Sequence, residues 1–206
     1  IKDGLPEVMT DETIREWNKN LKDGGEEAMK PYYAILKMVG EGTPMPEVLT
    51  NKRLTQSIWE KNNAAAEKYN EPGRFTAFIG YEWSSNAGGN NLHRVVMYRD
   101  ASDKANQMIP FSSFISENPE DLWKWMAQYE KKTQGQLLAI PHNGNLSNAR
   151  MFQATQFDGS PITREWAETR ASYETLIEAT QMKGDGETHP FLSPNDEFAD
   201  YETWDQ

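Results

Sequence analysis

The connection between Glu82 and His93 constrains this chain more than any other stretch. Ten residues rich in serine, asparagine and glycine, WSSNAGGNNL, separate the two; the apolar run FTAFIGY precedes Glu82, and His93 opens a second β-rich run, Val95-Val96-Met97-Tyr98. A link this short can hardly hold a parallel crossover, which needs a dozen or more residues and usually a helix. The spacing therefore predicts an antiparallel return that carries His93 back beside Glu82. An acid at the end of a buried strand is also where α/β folds hold their chemistry.

Three helical patterns precede this stretch. In DETIREWNKNLKDGG, Thr10 or Asp11 can cap, Ile14, Trp17 and Leu21 share a stripe, and Gly24-Gly25 ends the helix. EEAMKPYYAILKMV places Met29, Tyr32, Leu36 and Val39 at near-helical spacing, with regular helix expected from Pro31. LTQSIWEKNNAAAEKY puts Leu54, Ile58, Ala65 and Tyr69 on one side and stops at the breaker cluster Asn70-Glu71-Pro72-Gly73. Residues 1–73 thus read as a mainly helical lead-in, and 74–206 as the strand-containing, site-bearing part of a single α/β domain or of the central fragment of one.

Downstream, NPEDLWKWMAQYEKKTQG is the best-signalled helix: Asn118 caps, Pro119 takes the first position, acids start it and lysines end it. It leads into QLLAIPHNGN, a short apolar strand ending at His142. A short helix from Pro161 to about Arg170 follows, and then Leu176-Ile177 leading to Glu178 at a third strand end. Alternation of helix and strand gives the fold class, α/β.

Composition removes several function classes. With 21 basic against 32 acidic residues and a formal net charge of −11, a nucleic-acid backbone is excluded as the main partner. No apolar run reaches the roughly 18–20 residues of a membrane helix, so no membrane partner is expected. The chain reads as soluble, with a periplasmic or secreted location as open as a cytoplasmic one. Absence of cysteine removes disulfides, thiolate metal sites and cysteine nucleophiles.

What remains is a chemistry of carboxylates and imidazoles. Glu82, His142 and Glu178 end strands, and His93 lies next to the first of them. Two neutral imidazoles with one or two carboxylates form a ligand set for zinc, manganese or iron, and the expected reaction is hydrolysis of a small-molecule substrate by metal-bound water. Glu82, His93 and His142 are the expected metal ligands, and Glu82 and His142 the expected catalytic residues. Each has a plain counterpart: a hydrogen-bonded structural histidine, or a solvated strand-end acid. The loops NAGGNN and HNGNLSN suit close approach of an oxyanion and suit ordinary turns equally. Arg94, Asn143, Asn145, Glu178 and His189 are the expected substrate contacts, with Arg150 as a further cation nearby and His189 also readable as a turn residue. Two other functions fit: a glycosidase using Glu82 and Glu178 with Trp83 close by, or a non-catalytic ligand-binding piece.

At FIGYEWSSNAGGNNLHRVV, AIPHNGNLSN and QMKGDGETHP the sequence resembles a bacterial family, the domain of unknown function 3604, over roughly residues 20–200. That family is similar to the polymerase and histidinol phosphatase (PHP) superfamily. The resemblance implies a distorted (β/α)7 barrel, a site of two or three divalent metal ions, and phosphoester hydrolysis. It implies that Glu82 matches the bridging carboxylate and that His93 and His142 match two later histidine ligands. The superfamily's opening His-x-His, a following Thr-Asp-His-like strand end and a closing Asp-x-His are absent, and Glu187-Thr188-His189 does not replace the last. The chain is therefore expected to be an internal fragment with an incomplete barrel, the remainder of a parent chain supplying the missing ligands.

Overall fold

The computed structural model describes residues 1–6, 8–41, 43–186, 189–191 and 193–200, in which helices and small antiparallel sheets are mixed. Two units, Ile1–Lys61 and Asn62–Gln206, are each internally packed. Among the described residues, no helix is long and apolar enough to cross a membrane.

In the first unit, α1 (Glu12–Asp23) starts at Asp11, whose carboxylate accepts from the Ile14 N–H at 3.1 Å, and ends at Gly24. Its inner face brings Ile14 and Trp17 together with Val8 and Leu54, and Ile1, Leu5, Ala34, Ile35 and Met38 pack around them. Helix α2 (Met29–Glu41) corrects the expected stripe. Met29, Tyr32 and Leu36 are exposed, while Pro31 is buried and Ala34, Ile35 and Met38 turn to the core; the Val39 side chain lies outside the described residues. The helix is apolar on nearly every side, so spacing could not choose between two equally regular faces. It also begins two residues before Pro31, because a proline in the first turn forfeits no intrahelical hydrogen bond. In α3 (Lys52–Tyr69) the buried residues are Leu54, Trp59 and Asn63, and the expected Ile58, Ala65 and Tyr69 are exposed. The larger indole takes the inward position, where it removes more apolar surface from water.

The second unit is built on a three-stranded sheet, β1 (Gly80–Trp83), β2 (Arg94–Tyr98) and β3 (Leu137–Pro141), in that order. Both pairs are antiparallel, with Glu82 opposite Val95 and Val95 opposite Ile140. The short Glu82–His93 connection thus makes the return that its length demands. Burial alternates along β2 and β3 and past their ends: Arg94, Val96, Tyr98, Leu137, Ala139 and Pro141 are buried, and Val95, Met97, Leu138 and Ile140 are not. By this period of two, His93 and His142 continue the open face that carries Glu82.

The closed face packs on α5 (Pro119–Thr133), which forms as its sequence signals require: Asn118 Oδ1 accepts from the Glu120 N–H at 2.8 Å, and Pro119 opens the helix. Leu122, Trp125, Met126 and Tyr129 fall on one side of it and are buried. The Tyr98 and Tyr129 rings meet edge to face at 5.1 Å between centroids. Helices α4 (Ser102–Ala105) and α6 (Arg164–Tyr173) and a two-residue hairpin, β4 (Thr180–Gln181) and β5 (Gly184–Asp185), complete the unit. Helix α6 starts after Thr163, whose hydroxyl accepts from the Trp166 N–H at 3.1 Å, three residues beyond the expected start.

Two expected strand segments are absent. Phe75 and Phe78 are exposed, and regular pairing begins only with Ile79, whose carbonyl accepts from the Tyr98 N–H at 2.9 Å. Leu176 and Ile177 are likewise exposed and irregular, although the Glu178 N–H reaches the Pro141 carbonyl at 3.2 Å. Apolar β-formers become a strand only where a neighbouring strand accepts their hydrogen bonds.

Candidate metal centre

Glu82 stands third in β1, His93 immediately before β2, and His142 immediately after β3. Register and side-chain parity place all three on the open face at one end of the sheet. Two loops then draw the histidines together. The Asn91 N–H donates to the Leu146 carbonyl at 3.1 Å, Asn143 Nδ2 to Asn91 Oδ1 at 3.3 Å, and Asn148 Nδ2 to Asn90 Oδ1 at 2.8 Å.

The result is a convergence on one carboxylate oxygen. Glu82 Oε1 lies 3.2 Å from His93 Nδ1 and 2.7 Å from His142 Nε2, while Oε2 accepts from the Ser84 hydroxyl at 2.8 Å. One ligand atom from each of the three residues lies within 4.8 Å of the others. The outer ring nitrogens face acceptors: His93 Nε2 is 3.3 Å from Asn86 Oδ1, and His142 Nδ1 is 3.4 Å from the Ile140 carbonyl. Protons held on those outer nitrogens leave the inner nitrogens as lone pairs aimed at the carboxylate. Two lone pairs and an anionic oxygen facing one another repel unless a proton or a cation lies between them.

The electrostatics have the same character. Burial pushes the Glu82 carboxyl up, but the Ser84 hydroxyl and the His142 and His93 imidazoles in their protonated form outweigh it and hold it below its ordinary range. Burial pulls His93 down, the Glu82 charge opposes this, and the His142 and Lys183 charges reinforce it, so the neutral ring is favoured. The two imidazoles are largely buried, at 16% and 11% side-chain exposure, whereas Glu82 is 47% exposed and open to a ligand from solvent.

This donor set fits a divalent cation of the zinc, manganese or iron kind. Ligand atoms on a four-coordinate ion lie about 3.3 Å apart; the His93–Glu82 separation is close to this, and the His142–Glu82 separation of 2.7 Å is shorter, as in a hydrogen bond. Fixing the outer nitrogen of each histidine on an oxygen acceptor is the arrangement that orients metal-ligating imidazoles.

The other expected site residues lie in different surroundings. Arg94 is not at the site: it is 1% exposed on the closed face, where Nε meets Glu174 Oε1 at 3.0 Å. Its position in the alternation decides this, because it follows the outward-facing His93. Asn143 is also buried, with Nδ2 on Asn91 and Oδ1 accepting from Gln181 at 2.6 Å. Asn145 is exposed and donates to the Lys183 carbonyl at 3.0 Å. Glu178 lies outside the three-residue cluster, and its Oε2 accepts from the Asn143 N–H and from Gln181. His189 is a turn residue whose Nδ1 accepts from the Phe191 N–H, and Glu187 and Thr188 lie outside the described residues. Trp83 is a core side chain rather than a pocket wall, at 1% exposure. The NAGGNN loop spends the N–H groups of Asn86, Gly89, Asn90 and Asn91 on Glu117, Asn86, Ala87 and Leu146, so it behaves as a turn.

Three contributors escaped the sequence. Ser84 was readable in principle, since it lies two residues from Glu82 and shares its face. Asn86 had only its place in an Asn/Gly loop as a signal, and Lys183 had none.

A family model described as "Protein of unknown function (DUF3604)" matches residues 1–206. The chain belongs to the DUF3604 family. Neither the curated proteins nor the solved structures give a match. For this DUF3604 chain, function is therefore argued from the site.

Proposed function

We propose that the chain carries the metal site of a metal-dependent hydrolase acting on phosphoesters, with Glu82, His93 and His142 as the ligands of a divalent zinc, manganese or iron ion. The observation that carries this reading is the convergence of one oxygen and two imidazole nitrogens within 4.8 Å, with both outer nitrogens facing oxygen acceptors. Bound there, such an ion supplies Lewis acidity and a water acidified toward neutral pH. The residues' own work is to orient and balance charge. Ser84 holds Oε2 of Glu82, which leaves Oε1 directed at the histidines. Asn86 and the Ile140 carbonyl hold the tautomers that leave His93 Nδ1 and His142 Nε2 as donors to a cation. Three protein ligands leave coordination positions for water and substrate. Glu82, half exposed, and His142 are the residues proposed to contact the reacting groups.

Relation to the PHP superfamily, its barrel and a site of two or three ions belong to the same proposal. A small-molecule phosphoester is the proposed substrate, with no role for nucleic acid or membrane. The test is calorimetric titration with zinc and manganese, followed by a phosphoester hydrolysis assay with and without a strong chelator. Saturable metal uptake lost in His93→Ala and His142→Ala is expected. Hydrolysis indifferent to chelation sinks the reading, and absence of both uptake and hydrolysis favours a non-catalytic binding piece.

A further inference from the structure

A small cavity lies between the first turn of α5, helix α6 and residues 150–157. Its volume is about 20 Å³, room for one water-sized guest. Three arginines line it, Arg94, Arg150 and Arg170, with a single acid, Glu120.

Glu174 holds two of these cations together. Its oxygens accept from Arg94 Nε and from Arg170 Nε, both at 3.0 Å. Beyond that, Arg94 Nη1 reaches the Leu92 carbonyl and Arg170 Nη2 the Met151 carbonyl. A guanidinium carries five N–H donors, so most of those on Arg94, a residue 1% exposed, have no protein acceptor among the described residues. Arg150 has fewer partners still. It is half buried, its guanidinium lies 5.8 Å from the centre of the Phe157 ring, and it forms no ion pair or side-chain hydrogen bond among the described residues.

The acid in the wall does not neutralise Arg150. Glu120 Oε1 accepts from the Phe157 N–H at 2.9 Å and from Trp166 Nε1 at 2.8 Å, and Glu120 makes no ion pair among the described residues. Three arginines against Glu120 and Glu174 leave a balance of one positive charge, beside walls completed by Trp123, Met151 and Phe157. Against apolar and aromatic walls a charge is screened less than in water, and donors without acceptors are costly. One small anion answers both demands, accepting from several N–H groups and cancelling the excess charge. Water would leave the charge in place, and phosphate or sulfate is too large for the cavity.

We propose that this cavity binds one monovalent anion of halide size, chloride in ordinary buffers, between Arg94 and Arg150. The site is separate from the Glu82–His93–His142 centre and does not rest on the hydrolase reading.

The test uses the full chain, kept in chelator so that chloride cannot ligate an ion at Glu82, in three forms: wild type, Arg150→Met and Arg164→Met. Arg164 is 91% exposed on α6 and controls for the loss of a positive charge at the surface. Chloride NMR line broadening reports binding directly, and thermal unfolding is compared in sodium chloride and sodium gluconate at equal ionic strength. Wild type is expected to broaden the chloride line, with bromide reversing the effect, and to gain about 2–4 °C in Tm at chloride about five times its Kd. Arg150→Met is expected to weaken chloride binding by about tenfold or more, and Arg164→Met to respond as wild type does. Equal Tm in the two salts without line broadening overturns the proposal, the cavity then holding water alone. An undiminished response in Arg150→Met overturns it, as does a lost response in Arg164→Met, which marks general screening of charge. If Arg150→Met does not fold, a wild-type crystal soaked in bromide decides: an anomalous peak between Arg94 and Arg150 supports the site, and its absence from the cavity overturns it.

Discussion

Glu174→Gln should be among the most damaging single substitutions in the second unit. The Glu174 side chain is 2% exposed and neutralises two guanidiniums. Oε1 accepts from Arg94 Nε at 3.0 Å and from Trp123 Nε1 at 2.9 Å, and Oε2 from Arg170 Nε at 3.0 Å. Among the described residues the Arg94 guanidinium has one other hydrogen bond, from Nη1 to the Leu92 carbonyl at 2.5 Å. An amide of the same shape can still accept from Arg94 and Trp123, but its NH2 group would face the Arg170 donors. Two guanidiniums would then stay charged, one of them 2% exposed, with no anion between them. Breaking a buried ion pair from one side costs about 3–5 kcal/mol. For a chain of 206 residues this is a fall in Tm of roughly 6–20 °C. Urea unfolding followed by circular dichroism measures the cost, and Arg94→Met made in both backgrounds tests its origin. If the unpaired Arg94 charge is responsible, Arg94→Met costs less in Glu174→Gln than in wild type. A loss under about 1 kcal/mol, or a strictly additive cycle, would refute the argument, because water would then be pairing these charges.

Two predictions concern the site itself. Asn86→Ala removes the acceptor facing His93 Nε2 and should weaken zinc affinity roughly 10–100-fold with the urea midpoint unchanged; equal affinity by calorimetry would mean that Asn86 does not set the tautomer. In the metal-free chain, acid should destabilise the fold in two windows. His93 is held below its ordinary value of 6.5, chiefly by burial, so the unfolded chain binds that proton more readily and stability falls as pH drops below about 6.5. Glu82 is held below its ordinary 4.5, its hydrogen bonds and neighbouring imidazole charges outweighing burial, so its contribution is full above about 4.5 and is lost as pH falls further. Urea midpoints measured against pH in chelator should therefore slope less in His93→Gln through the first window, and parallel slopes would refute the assignment.

Much of the local structure was legible because its causes are local. Asn118-Pro119 starts α5, Asp11 starts α1, and the ten-residue link from Glu82 to His93 enforces an antiparallel return. Where chemistry stands relative to a turn or a cap, neighbouring residues carry the information. The closeness of Glu82 and His93 followed from that return alone. His142 joining the same carboxylate did not, because the pairing of β2 with β3 spans the whole of α5 and nothing in the spacing specifies it.

Faces and partners belonged to the tertiary structure. Spacing admitted both stripes of α2, and only the core formed by Val8, Ile14, Trp17 and Leu54 decided that Ala34, Ile35 and Met38 turn inward. Arg94 and His93 are adjacent in sequence and differ by one step of the strand alternation, which sends one into a buried ion pair and the other to the open face. The β4–β5 hairpin is pinned on Asn143 and Asn145 by contacts across 38 residues that no local pattern records. By itself the sequence determined that a carboxylate and two imidazoles stand at the ends or starts of β-rich runs, since residue type and turn chemistry act over a few residues. Which of them meet was decided only when long-range strand pairing and packing spent conformational entropy on contacts that short-range preferences do not specify.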